Sequence, residues 1–489
     1  MTGFARVVLS VLAAAAAALA LAAAGGPGET EHYWPQWRGP LASGAAPDAR
    51  PPVEWSETKN VRWKVEVPGR GLSTPIVWGE LVFVTTAVPT DKPLKPRAST
   101  TSAPRTRRFP AVQDPEKAQD FLVLAYRRDN GELRWRATVR EEFPHEGTHR
   151  DGSFAAASPV TDGERLYVSF GSRGLYCLDM NGERVWEKDL GLMSTKLAFG
   201  EGASPALHGD RLVLTWDHEG QSFILALDRK TGEELWRTVR DENTTWATPL
   251  VVSHGRTTHV VTAGTNRVRS YDLESGRVLW EAPGLTQNVI PSPVFGDGIV
   301  YLTSGFRGNA LVAVRLEAAR GELSGEPAIA WRHDEDTPYV PSPLLYAGGL
   351  YFLKSNSAIL TRLDASSGRR DFMERLEGLQ NVYASPVAAD GRVYVVGRDG
   401  TTAVLGAGPA LEVLAVNSLD DDIDASLAGK IKQRPPLGAG LLAAHGAKGH
   451  VSRASSYNKF GRVWYPRDND RAFRAGHVGS STSPCCTVR

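Results

Sequence analysis

Seven side chains of the kind that hold small molecules stand in irregular stretches between short apolar runs: Trp246, Asn288, Arg307, Tyr339, Lys354, Asn381 and Arg398. Aromatic rings, amides and cations together suit a polar, anionic ligand, because rings cover its flat faces, amides bond its edges and cations neutralise it. Ordinary channel polarity with bound water is the alternative use of the same residues. His145, His149, Asp217 and His218 are metal-ligand types, but histidines in surface loops commonly carry no metal, and no metal site is expected. No Ser-His-Asp signature, paired-carboxylate spacing, P-loop or dinucleotide-binding loop stands out, so no catalytic residue is assigned.

The elements that must position these residues recur along the chain. Ser/Thr-Pro, a few apolar residues, a Gly turn and a second apolar run appear at Ser73-Thr74-Pro75, Ser158-Pro159, Ser204-Pro205, Thr248-Pro249, Ser292-Pro293, Ser342-Pro343 and Ser385-Pro386. The proline steps are 84, 46, 44, 44, 50 and 43 residues. A period of about 40–50 residues built from short strands predicts a β-propeller. One unit reads over residues 288–331, with strands at 288–295, 299–302 and 310–314, a fourth ending near Trp331, and a Gly296-Asp297-Gly298 turn after the first. A second phrase follows the third strand, clearest at Ala226-Leu227-Asp228…Gly232…Trp236, and it recurs with Trp135, Trp186, Trp280 and Trp331. These five indoles are expected to wedge each blade against the next, burying area that no single blade can bury. Seven phrases are complete, and a degenerate eighth begins at Asp424-Ala425-Ser426. The expected fold is therefore all-β, an eight-bladed propeller of four-stranded blades, with a stray N-terminal strand at 60–65 closing the ring.

Composition sets the domain boundaries. Arg6 followed by the apolar run Val7–Ala24 reads as a signal peptide over 1–24, which makes the expected location periplasmic or secreted. Residues 25–59 form an extended lead-in and 60–427 the propeller. Residues 88–119, with six prolines, seven basic and three acidic residues, form a flexible insertion. Residues 428–489 read as a basic tail of low order, since 429–489 carry 11 basic and 2 acidic side chains against 45 and 53 before them. Of the three cysteines, Cys177 sits in an apolar strand and Cys485-Cys486 in the tail. The ring is acidic and its cations are not interleaved with aromatics, which argues against nucleic acid. No integral membrane segment is expected after signal cleavage, and a monomer is expected.

Antiparallel strands alternate direction, so connections from fourth strand to next first strand share one face with the second-to-third connections. The short Gly and Asp turns fall on the other face. The first face collects the insertion 88–119, the stretches 141–154 and 190–200, and the seven side chains named at the outset.

The Ala-x-Asp-x-x-x-Gly-x-x-x-Trp phrase at Ala226–Trp236 resembles the tryptophan-docking motif of quinoprotein-type (PQQ-like) propellers. Trp34-Pro35-Gln36-Trp37-Arg38-Gly39-Pro40 resembles the opening of exported BamB-like members of that repeat family. The resemblance covers residues 34 to about 427 and implies two functions. One is a binding scaffold without cofactor that takes an envelope protein or small polar ligand on the irregular face. The other is a dehydrogenase using PQQ with calcium on alcohols or sugars, with Trp246 or Tyr339 near the quinone plane and Arg307, Lys354 or Arg398 on its carboxylates. The vicinal cysteine pair of such dehydrogenases has no counterpart in the ring, nor has a Cys-x-x-Cys-His haem site, so the scaffold is the leading expectation.

Overall fold

The computed structural model describes residues 32–95, 111–424, 428–429, 441–444 and 461–466. The signal peptide, the middle of the insertion and Cys485-Cys486 lie outside the described residues. Short β-branched and aromatic runs separated by Gly-containing turns form four-stranded antiparallel sheets, as such runs must to pair their backbone groups. Seven sheets have four strands and one has five. The first strands of blades 1 to 7 are Ile76–Trp78, Val160–Thr161, Ala206–His208, Leu250–His254, Val294–Gly296, Leu344–Tyr346 and Val387–Ala389. Third strands such as Ser222–Asp228 are buried almost throughout, because neighbouring blades cover both faces. Fourth strands such as Glu234–Arg240 lie at the rim and are largely exposed or half-buried.

The eighth sheet joins the chain's two ends. Val61–Val67 pairs antiparallel with Gly461–Pro466, followed by Leu441–Ala444 and Ala428–Gly429. Backbone strands thus occur in the stretch that its composition marks as a tail.

Each seam between blades is built from an indole and a glycine. Trp135 Nε1 donates to the Met180 carbonyl (2.9 Å), Trp186 to Arg229 (3.1 Å), Trp236 to Leu273 (2.7 Å) and Trp331 to Ala365 (3.0 Å). The rings lie on Gly182, Gly232, Gly276 and Gly368 of the following blade. Gly276 is required twice over. Its φ of +67° suits glycine, and a Cβ would stand 2.5 Å from the Trp236 ring. Trp63 repeats the arrangement on Gly131 and donates to the Arg128 carbonyl. Trp280 does not: it is wholly buried and its Nε1 has no partner among the described residues. Blade 5 has a longer turn there, whose Gly321–Glu322 pairs in parallel with Trp280 and Glu281 as a fifth strand.

A second seam runs nearer the axis and explains the Ser/Thr-Pro phrase. The backbone N–H of each Ser or Thr donates to the hydroxyl of its counterpart one blade on. Thr74 donates to Ser158, Ser158 to Ser204, Ser204 to Thr248, Thr248 to Ser292, Ser292 to Ser342 and Ser342 to Ser385, all at 2.9–3.1 Å. The proline that follows offers no N–H and cannot compete as donor. The first strand of blade 5 consequently begins at Val294, not at Asn288, because residues 288–293 belong to this crossing.

The lead-in segment lies across the inner strands. Trp34 exchanges backbone hydrogen bonds with Val77 of blade 1, the Pro35 carbonyl accepts from Thr161 of blade 2, and Ala46 donates to Ala388 of blade 7. Arg38 is almost fully buried and donates to the carbonyls of Ser43, Pro343 and Pro386. A Cβ on Gly44 would meet the Arg38 guanidinium at 2.3 Å. Lead-in and ring are therefore packed as one body, and the sequence pattern carried no sign of it.

Candidate functional site

The connections from each fourth strand to the next first strand converge on one cavity of ≈510 Å³. Its lining includes Thr148–Ser153, Phe199–Gly202, Trp246, Ile290, Tyr339 and Tyr383 from those connections, Phe306 from a second-to-third connection, and Trp37 from the lead-in. Ser158, Ser204, Thr248, Ser292, Ser342 and Ser385 of the inner seam also face it. Trp37 Nε1 donates to Ser292 Oγ at 3.1 Å. Residues 111–113 at the end of the insertion reach this place too. Val112–Gln113 pairs with Thr148–His149, and Arg150 donates to the Ala111 carbonyl.

Of the seven side chains selected from sequence, Trp246 and Tyr339 line the cavity. Trp246 is held by an Nε1 bond to the Gly200 carbonyl (2.7 Å), and Tyr339 stacks on Phe306 with centroids 4.8 Å apart. The others lie beside it. Asn288 is buried, hydrogen-bonds Tyr339, and has φ of +53°. Asn381 has φ of +54°, and its carbonyl accepts from Arg398 N–H. Asparagine tolerates that conformation better than most residues, so both have a backbone reason to be there. Lys354 is paired with Asp336 at 2.7 Å, and Arg307 is exposed with its guanidinium over Phe306.

Arg398 is the informative case. It is buried, lies 4.1 Å over the Tyr383 ring, grips both oxygens of Asp424 and reaches Asp151 at 3.1 Å. Burial opposes its charge, but Asp424 and Asp151 outweigh burial and hold the guanidinium above its ordinary pKa. Burial likewise opposes ionisation of Asp151, and Arg398 overrides it. The cation is thus spent inside the protein. The carboxylates it neutralises, with Glu201, line the cavity, and Arg150 is the single Arg or Lys among the described lining residues.

Beside the cavity sits a second polar cluster. His145, Glu146 and Glu201 each bring a ligand-type atom within 4.8 Å of the others. Most of their bonds are already committed, though His145 Nδ1 has no partner among the described residues. Glu201 accepts from Ser172 and from Arg173 Nη1 (2.9 Å), Glu146 from Thr195, and His145 Nε2 meets the Met193 carbonyl at 2.7 Å. Burial pushes the Glu146 carboxyl up to about 7, against the Thr195 donors and with help from Glu201. Asp217 is held by buried Arg240, and His218 Nδ1 accepts from Ser194, so these two do not join His145 and His149 in one set. Cys177 is buried in blade 2, and burial pushes its thiol up to about 12, which makes it inert.

Sheet order, indole seams and the axial cavity define a PQQ-like β-propeller. The family described as outer membrane protein assembly factor BamB matches residues 119–372, and the chain belongs to it. Among solved structures it is similar to the quinohemoprotein alcohol dehydrogenase of Comamonas testosteroni, with 11% identity, a TM-score of 0.59, and 92% of this chain and 83% of that one covered. It is also similar to a europium-containing methanol dehydrogenase, with 11% identity, a TM-score of 0.56 and coverage of 85% and 89%. BamB from Moraxella catarrhalis matches at 15% identity and a TM-score of 0.48, covering 80% of this chain and 100% of that chain. Likeness of this degree speaks to fold alone. No curated protein sequence matches the chain. Among the described residues no helix is long and apolar enough to cross a membrane.

Proposed function

We propose that the chain is an exported propeller of the cell envelope that binds a small polar molecule, or a polar segment of an envelope protein, in its axial cavity and performs no reaction there. The observation that carries this reading is the charge arrangement. The cavity is large enough for a ligand, yet Arg398 and Lys354 are neutralised by aspartates, Arg307 is exposed outside the lining, and the lining carries aromatic rings and hydroxyls. Export rests on the apolar run Val7–Ala24.

The quinone alternative meets a mismatch. PQQ bears three carboxylates, whereas the lining offers Arg150 against Asp151, Glu201 and Asp424. A calcium ion at His145, Glu146 and Glu201 would stand against Arg173, which already holds Glu201. The residues present do not suit the group, and no step is derived through it. The test is titration of purified protein with PQQ and calcium, followed by assay on alcohols and sugars. The expected outcome is no saturable absorbance change and no turnover. A saturable change accompanied by oxidation would overturn the binding reading.

A further inference from the structure

The inner seam does more than join blades. A serine hydroxyl has one donor and two acceptor positions. In Ser158, Ser204, Thr248 and Ser342 the oxygen accepts the N–H of the preceding blade, and the O–H finds no acceptor among the described residues. Ser292 accepts twice, from Thr248 and from Trp37. All five are more than nine-tenths buried, and all five face the cavity. One side of the site is therefore an arc of preset hydroxyl donors. Hydroxyl donors without a protein partner on a cavity wall favour a ligand rich in acceptor oxygens.

The rest of the wall narrows the class. Trp246 and Tyr339 present aromatic surface, which suits a ligand with an apolar face. Asp151 and Asp424 supply acceptor oxygens, because Arg398 leaves their remaining lone pairs open. Their pairing with Arg398, and that of Glu201 with Arg173, leaves this wall largely charge-compensated, so it offers neither an anion nor a cation a free counter-charge. Donors on one side, acceptors on another and flat rings between them match a neutral polyhydroxylated ring.

We propose that the axial cavity is a binding site for a neutral saccharide of one or two rings. Ser158, Ser204, Thr248 and Ser342 donate to its oxygens, and Tyr339 together with Trp246 covers its C–H face. This rests on the binding reading above and adds the ligand class.

The test uses the full-length protein, titrated by calorimetry and tryptophan fluorescence with glucose, maltose, cellobiose and chitobiose, and in parallel with glucuronate, glucose 6-phosphate and PQQ. At least one neutral sugar should saturate, with a Kd between about 10 μM and 1 mM. Tyr339→Ala and Ser342→Ala should each weaken it about tenfold, as expected for one ring contact and one hydrogen bond. Ser204→Ala should weaken it similarly and Ser204→Thr, which keeps the O–H, should not. Thermal melts establish that each variant is folded, and Tyr339→Ala alone decides the matter if the seam variants do not fold. Tighter binding of the anionic sugars, or sugar binding indifferent to Tyr339→Ala, overturns the inference. Saturation by PQQ with turnover overturns both it and the binding reading. Failure of every probe overturns the saccharide assignment only.

Discussion

At the scale of single residues, charge is decided by partners far away in the chain. Residue type and position mark Arg398 as a ligand cation, yet it is consumed by Asp424 and by Asp151, 247 residues away. Glu146 shows the opposite case of a carboxyl left without a cation. Burial raises its pKa from 4.5 to about 7. A carboxyl with a raised folded pKa binds protons preferentially in the folded state, so it favours folding at low pH and costs stability as pH climbs through that window. The wild type should lose up to about 3 kcal/mol from this group between pH 4.5 and 7. Melting curves of Glu146→Gln should show a shallower decline over the same range. Equal slopes for the two proteins would remove Glu146 as the cause.

At the scale of elements, the lead-in explains its own composition. Trp34 needs Gly39 beneath its ring, Arg38 needs Gly44 beside its guanidinium, and Trp37 faces the cavity. Burial lowers the Arg38 pKa to about 9, and three carbonyls hold the charge in place of a carboxylate. Arg38→Ala strands those carbonyls and opens a void, at a cost of roughly 3 kcal/mol. Chemical denaturation should register this as an earlier midpoint. An unchanged midpoint would mean that the lead-in contributes no stability to the ring.

At the scale of the whole molecule, stability is distributed over repeated seams, each joining neighbours only. Trp236→Ala removes one indole wedge and its bond to Leu273, and should cost roughly 2–4 kcal/mol. Gly276→Ala should damage the same seam from the other side, since both its φ and the space above it are unsuited to a side chain. The double variant should then cost less than the two single costs added, because both act on one contact. Simple additivity in calorimetric unfolding would argue that the two residues do not share a seam.

The repeat period, the Gly turns, the phrase ending in Trp and the single irregular face were legible in the linear order of residues. Each is a local device: a proline that cannot donate, a left-handed glycine, strand-length apolar runs. Trp246 and Tyr339 could be picked out because aromatic side chains outside the strand pattern stand apart. Folding alone settled which neighbours those local devices meet. The crossings between blades 2 to 6 bring Ser158, Ser204, Thr248, Ser292 and Ser342 to one cavity, and Trp37 lies beside them. They also bond Arg398 to Asp151 and seat Asn288 under a backbone constraint. The seam serines leave a periodic trace, but the Arg398–Asp151 pair and the place of Trp37 leave none, because their partners are set by ring geometry and not by spacing.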